Sequence, residues 1–304
     1  MSGITPKRWV AELLLACVAA GWGIGFPVMK QAVSAHPVLM VLGLRFMLSA
    51  LLLLPFSAGG LRAMSLKTLS AGLLLGLLLG AGFVFLIFGL QMTTASNTGF
   101  LAGLSVIWVL LLSGPLSGNL PSFEAALATL FGVAGLYLMS DIRGWQLQWG
   151  DTLVVIGSLF TALHIMALDR LSARHDNMTL TFLQIVSMAA AIMLIQHFRG
   201  DAVLPTVWDS GLVLALLVTA IFSTVIAFWV QTRYQRYTTP TRAILIYNLE
   251  PVFSALFAVW LLHETLSGNV LLGGGLILLG MCLPGIIATF VRHYRKANDA
   301  VNPS

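Results

Sequence analysis

Apolar residues run along this chain in ten long blocks separated by short polar stretches. The blocks cover Trp9–Met29, Val38–Leu54, Thr68–Leu90, Asn97–Leu116, Phe123–Met139, Thr152–Leu168, Met178–Ile195, Gly211–Val230, Thr241–Leu262 and Val270–Val291. A bilayer core takes about 20 apolar residues per helix, so the pattern predicts ten membrane-spanning helices. Their connections are too short to hold a soluble domain. The first block follows Lys7 and Arg8 in the manner of a signal peptide. It has full spanning length, however, and removing it would leave nine helices, so it is read as the first span.

Composition sharpens the picture. Of 304 residues, 58% are apolar and 9% charged, against about 45–50% and about 25% in soluble domains. So few charges cannot cover a water-soluble surface of this size. That excludes a soluble enzyme, a nucleic-acid binder and a disordered chain, and leaves the lipid bilayer and a small-molecule substrate as expected partners. Cys17 and Cys282 both lie in apolar blocks, so no disulfide framework is expected.

The basic residues set the orientation. With the N-terminus in the cytoplasm, twelve of them, from Lys7 and Arg8 through Arg170, Arg236 and Arg242 to Lys296, collect on that side. Lys30, Arg143 and Arg199 fall on the far side, and Arg45 lies within a span. The sorting favours an even ten crossings with both termini cytoplasmic, in a plasma membrane (bacterial inner membrane). Trp9, Trp145, Trp149, Trp208 and Trp260 fall near predicted helix ends, where amphipathic rings prefer the headgroup level.

A shift of 145 residues lays the third to fifth blocks on the eighth to tenth. Thr93-Thr94 meets Thr238-Thr239, Leu104 meets Leu249, Ser122 meets Ser267 and Gly135 meets Gly280. The chain therefore reads as two five-helix repeats, 1–145 and 146–304. Five being odd, the halves must run in opposite orientations, the inverted-repeat plan of many secondary transporters, with a site near the midplane.

Several motifs carry a resemblance. Trp22-Gly23 followed by Phe26 and Lys30, Arg45-Phe46, and Leu249-Glu250-Pro251-Val252 followed by Leu262-His263-Glu264 resemble signatures of the EamA family in the drug/metabolite transporter superfamily. Gly275 through Gly280 fits its glycine-containing final helix. His263 departs from the usual Leu-Gly-Glu, and Ser105-Val106 and Gly118-Asn119 replace the expected motifs of the first half. The resemblance implies a ten-helix carrier that moves small metabolites outward, often amino acids, by alternating access. YddG-type amino-acid exporters are plausible relatives within it.

Polar groups inside hydrocarbon are costly, so each has a functional and a structural reading. Glu250 lies mid-block and precedes Pro251, which removes a backbone hydrogen bond near Tyr247. Glu250 reads as a proton- or ammonium-binding carboxylate in a kinked helix, or as the residue that stabilises the kink. Arg45 suits bidentate binding of a substrate carboxylate, or pairs with Glu250 or Glu12. Glu12 either lines the cytoplasmic mouth or simply reaches water. His164 suits a proton relay or a satisfied polar contact. Trp22, Phe26, Phe83, Trp108, Trp229 and Tyr247 can line an apolar cavity with polar handles, and Asn248 can bond substrate or another helix. Gln184, Ser105 and Thr224 are weaker candidates of the same kind. Gly72, Gly76 and Gly80 form a small-residue stripe for close packing or dimerisation, which leaves monomer and homodimer both open.

No Gly-x-x-x-x-Gly-Lys-Ser/Thr, His-Glu-x-x-His, Cys-x-x-Cys or Gly-x-Ser-x-Gly occurs, so no nucleotide loop, metal or cofactor site, or catalytic elbow is expected. The reading is an all-α secondary carrier that exports small amphipathic metabolites, in first place neutral or aromatic amino acids. Two alternatives stand beside it: a proton-coupled efflux carrier of lipophilic cations, and a non-transport membrane scaffold or enzyme.

Overall fold

A computed structural model describes residues 7–92, 101–117, 122–139, 149–262, 268–280, 282, 283 and 287. Among these residues every regular element is helical. The helices are α1 (Arg8–Ala35), α2 (Val38–Arg62), α3 (Leu66–Met92), α4 (Ser105–Ser117), α5 (Phe123–Met139), α6 (Trp149–Leu171) and α7 (Asn177–Arg199). They continue as α8 (Ser210–Tyr237), α9 (Pro240–Tyr247), α10 (Glu250–Leu262) and α11 (Gly268–Gly280). Helices α1, α2, α3, α6, α7 and α8 hold six stretches long and apolar enough to cross a membrane, and Leu101–Leu112, Phe123–Leu138 and Gly268–Gly280 are shorter apolar helices. Thr93-Thr94, Gly118-Asn119, Trp145 and His263-Glu264 lie outside the described residues.

The surface follows the solvent. Leu51, Leu77, Leu130, Leu214 and Leu256 face outward, while Arg45, Ser49, His164, Gln184, Gln231 and Gln235 are buried. That inversion suits a multi-pass membrane protein, where polar groups face the bundle interior. Trp9, Trp149, Trp208 and Trp260 are exposed at or near helix ends.

Several helices outrun their apolar blocks. Thus α2 continues from Leu54 to Arg62, and α1 from Met29 to Ala35. Hydropathy marks only the hydrocarbon stretch, whereas a helix bonds its own backbone and continues into the interface. The ninth block breaks in two. Pro251 has no N–H to offer the Tyr247 carbonyl, and the chain turns at Asn248-Leu249 between α9 and α10. Thr239 caps α9, its hydroxyl accepting the Arg242 N–H at 3.3 Å, with Pro240 in the first turn.

The 145-residue shift has structural counterparts. Helix 101–103 breaks at Leu104 as α9 breaks at Leu249. The Leu104 N–H bonds Leu101 O at 3.3 Å, and the Leu249 N–H bonds Ile246 O at 3.0 Å. Trp108 N–H to Leu104 O repeats as Phe253 N–H to Leu249 O. Close contacts exchange under the same shift. A Cβ on Gly135 would meet the Gly273 carbonyl at 2.5 Å, and one on Gly280 would meet the Ala128 carbonyl at 2.7 Å; each position lies 145 from its counterpart. Helix neighbours exchange too: α1 packs on α8 as α6 packs on α3, α2 on α8 as α7 on α3, and α1 on α10 as α6 on α4.

The glycine stripe of α3 is used within the chain. A Cβ on Gly72 would strike Leu183, and one on Gly76 would meet the Gln184 carbonyl at 2.6 Å, so α3 lies directly on α7.

Candidate functional site

Helix α8 is irregular at its centre. Residues Ile221–Ile226 form a wide π turn, which misaligns local carbonyls from their usual partners. Side chains from two other helices take them up. Trp22 of α1 donates its indole N–H to Ser223 O at 3.1 Å, and Arg45 of α2 donates to the same carbonyl at 3.2 Å. Arg45 Nε also donates to Thr224 Oγ1 at 2.9 Å, and Ser49 Oγ to Ala220 O at 3.3 Å. The Ser223 hydroxyl bonds back to the Gly21 carbonyl. No Pro or Gly marks this segment, so the sequence carried no signal for it.

Arg45 is buried, with its guanidinium 5.1 Å from the Phe46 ring centre. No carboxylate among the described residues lies within ion-pair distance of it. Glu250 acts on it only through space, and is itself half-buried at the first turn of α10. Glu12 does not pair with Arg45. Its Oε1 accepts from Arg8 Nε at 2.9 Å, Arg242 Nε at 3.0 Å and Thr238 Oγ1 at 3.1 Å. It clasps the start of α1 to the α8–α9 connection, a role that neither sequence reading named.

Gly23 lets α1 cross the broken helix closely. A Cβ there would lie 2.9 Å from the Ser254 nitrogen and 3.0 Å from the Glu250 carbonyl. Trp22 is thereby laid against Tyr247, with ring centres 5.1 Å apart, and against Phe228 at 5.7 Å. Trp22, Trp108, Trp229 and Tyr247 belong to one apolar cluster. Phe83 lies in a second, edge-on to Phe46 at 5.3 Å, and Trp22 touches both. Trp108 donates to Ser158 Oγ at 3.0 Å. Phe26 is on α1, but its side chain lies outside the described residues.

A polar cluster adjoins Tyr247. Its hydroxyl donates to Gln235 Oε1 at 3.1 Å, and Gln235 Nε2 donates to Ile165 O at 2.7 Å. Gln231 Nε2 reaches Gln235 Oε1 at 3.4 Å. Gln184 bridges His164 at 2.9 Å and Thr232 at 2.8 Å, so His164 is a satisfied partner here. Neutral amides both donate and accept, which lets Gln235 and Gln184 tie separate helices without burying a charge. Asn248, at the helix break, is buried with its Nδ2 unpartnered and turned towards Gly132 of α5.

Sequence reasoning missed Gln231, Thr232 and Gln235. They sit beside Arg233 and Arg236 at the end of a block, where polar residues ordinarily mean the interface. Their spacing of i, i+1 and i+4 was the one signal available.

Comparison with known proteins agrees with this architecture. The model of the EamA-like transporter family matches twice, over residues 9–141 and 148–285. An uncharacterized transporter of Archaeoglobus fulgidus is 30% identical over 282 residues, 91% of this chain and 86% of that protein. The uncharacterized inner membrane transporter YedA of Escherichia coli is 25% identical over 303 residues, 93% of this chain and 91% of its own. A crystal structure superposes with a TM-score of 0.76 at 20% identity, covering 94% of this chain and 99% of the other.

Proposed function

The chain belongs to the EamA-like transporter family, a membrane transporter of the drug/metabolite type, and from that premise we propose that it is a secondary carrier exporting small amphipathic metabolites. Neutral and aromatic amino acids are the first substrates proposed, moved by alternating access. One observation carries this reading. Arg45 is a buried guanidinium that no carboxylate among the described residues pairs with, and Glu250 is a half-buried carboxyl group where α10 leaves the helix break. A zwitterion suits such groups, its carboxylate towards the guanidinium and its ammonium towards the carboxylate. Trp22, Tyr247 and Phe228 then offer ring faces to an apolar side chain. Phe83, Trp108, Trp229, His164 and Asn248 belong to the wider wall, and Phe26 is kept with Trp22 on the strength of the motif.

The same proposal includes ten crossings in two inverted five-helix repeats, 1–145 and 146–304. Support comes from the double family match, the paired helix breaks and the exchanged contacts between α5 and α11. Both termini are placed in the cytoplasm of an inner membrane. Arg8, Arg242 and Glu12 meet at one end of the bundle, while His36 and Asp209 meet at the other at 2.6 Å, in line with the sorting of basic residues.

The test is counterflow in proteoliposomes against labelled amino acids, with and without a pH gradient, for the wild type and Glu250→Gln. Exchange of neutral aromatic amino acids by the wild type, lost in the variant, is expected. Movement of lipophilic cations alone would replace this reading with that of a multidrug carrier. The half-buried Glu250 beside aromatic rings is the feature that would serve such a carrier.

A further inference from the structure

Gln235 joins three helices and is fully buried. It is on the last turn of α8, yet its amide bonds the backbone of α6 and the Tyr247 hydroxyl of α9. The Ile165 carbonyl it reaches already sits in a helix, so this bond holds the amide in one orientation, with Oε1 turned to Tyr247. Tyr247 in turn packs its ring on Trp22. A tyrosine ring held at its hydroxyl end loses its freedom to tilt, and the Trp22 face beside it is set by the same contact.

We propose that Gln235 is a positioning residue for ring recognition: through the Tyr247 hydroxyl it fixes the Tyr247–Trp22 wall against which an aromatic solute side chain stacks. The inference rests on the carrier reading above and names how that site selects among amphipathic solutes. Gln184 is the built-in comparison. It is equally buried and also bridges three helices, yet it bonds His164 and Thr232 and does not touch Tyr247.

The experiment uses the full-length protein in proteoliposomes, with labelled phenylalanine and leucine as probes. Gln235→Leu, Tyr247→Phe, the double variant and Gln184→Leu are compared with the wild type. Loss of one buried hydrogen bond corresponds to about a fivefold change. Gln235→Leu and Tyr247→Phe should each raise the half-saturation for phenylalanine by about that factor, with the maximal rate within about twofold and leucine little changed. The double variant should be no worse than either single one, because both remove the same contact. Gln184→Leu should leave the phenylalanine-to-leucine ratio as it is. Additive losses in the double variant, or equal shifts for the two solutes, would overturn the inference.

A second measurement needs no substrate. In protein labelled with fluorotyrosine, the Tyr247 resonance, assigned by its disappearance in Tyr247→Phe, should move in Gln235→Leu and stay in place in Gln184→Leu. An unmoved resonance in Gln235→Leu overturns the positioning role. Wild type that exchanges no amino acid overturns the carrier reading instead, and the fluorine result still decides the contact.

Discussion

Replacing Arg45 with Met separates a structural charge from a working one. The side chain makes two hydrogen bonds, to Thr224 Oγ1 at 2.9 Å and Ser223 O at 3.2 Å. Bonds from a charged donor contribute about 1.5–3 kcal/mol each, so Arg45→Met loses about 3–6 kcal/mol. Against this stands the cost of burying a cation that no carboxylate among the described residues pairs with, several kcal/mol in real proteins. The carbonyl it leaves keeps the Trp22 indole as donor, and Thr224 Oγ1 still bonds Thr219 O at 2.9 Å. The two large terms nearly cancel, and the net change should stay within about 2 kcal/mol. At roughly 2 °C per kcal/mol for a chain this long, the melting midpoint in detergent should move by less than about 5 °C. Counterflow of zwitterionic solutes should vanish. A fall of more than about 10 °C, or transport like the wild type, would refute the reasoning and return Arg45 to a purely structural role.

Three further outcomes can be checked on the same purified protein. Gly76→Ala forces a Cβ against the Gln184 carbonyl and should cost about 1–3 kcal/mol. Gly275→Ala meets nothing within 4 Å among the described residues and should be neutral or stabilising by up to about 1 kcal/mol; equal melting shifts for the pair would contradict the packing of α3 on α7. Thr239→Ala removes the cap of α9 and should cost about 1 kcal/mol, with Thr239→Ser close to wild type in the same thermal assay. Asp209 is held below the usual carboxylate range by its bond to His36, and then by the Leu212 N–H it caps. A depressed value stabilises the fold above the unfolded-state value and is lost on acidification, so the melting midpoint should decline as pH falls from about 5 to about 3, and Asp209→Asn should flatten that slope.

Much of the fold was legible because lipid imposes a single rule, that backbone bonds be closed within each crossing. Length and hydropathy therefore located the helices, and Glu250-Pro251 marked a kink through local sterics alone. The inward faces were harder to read. In a block that is apolar all round, hydropathy cannot say which side meets lipid, and so Gly76 and Gly275 looked alike until the former was found against α7 and the latter in open space. Arg45 was expected to hold a substrate carboxylate or to pair with Glu250 or Glu12, since an opposite charge is the usual answer to burial. It found instead a carbonyl left over by the π turn, which sequence patterns do not announce. Gln235 was missed for a related reason, because an amide beside arginines looks like headgroup chemistry.

That π turn gives two other helices a common anchor. In a regular α-helix the Ala227 N–H would bond the Ser223 carbonyl; here it reaches Thr224 O instead. The oxygen so freed takes a donor from α1 and another from α2, and one backbone atom of α8 joins three helices. Straightening the turn would return that oxygen to its own helix and release both donors together, so the local shape of α8 and the seating of α1 and α2 are a single degree of freedom.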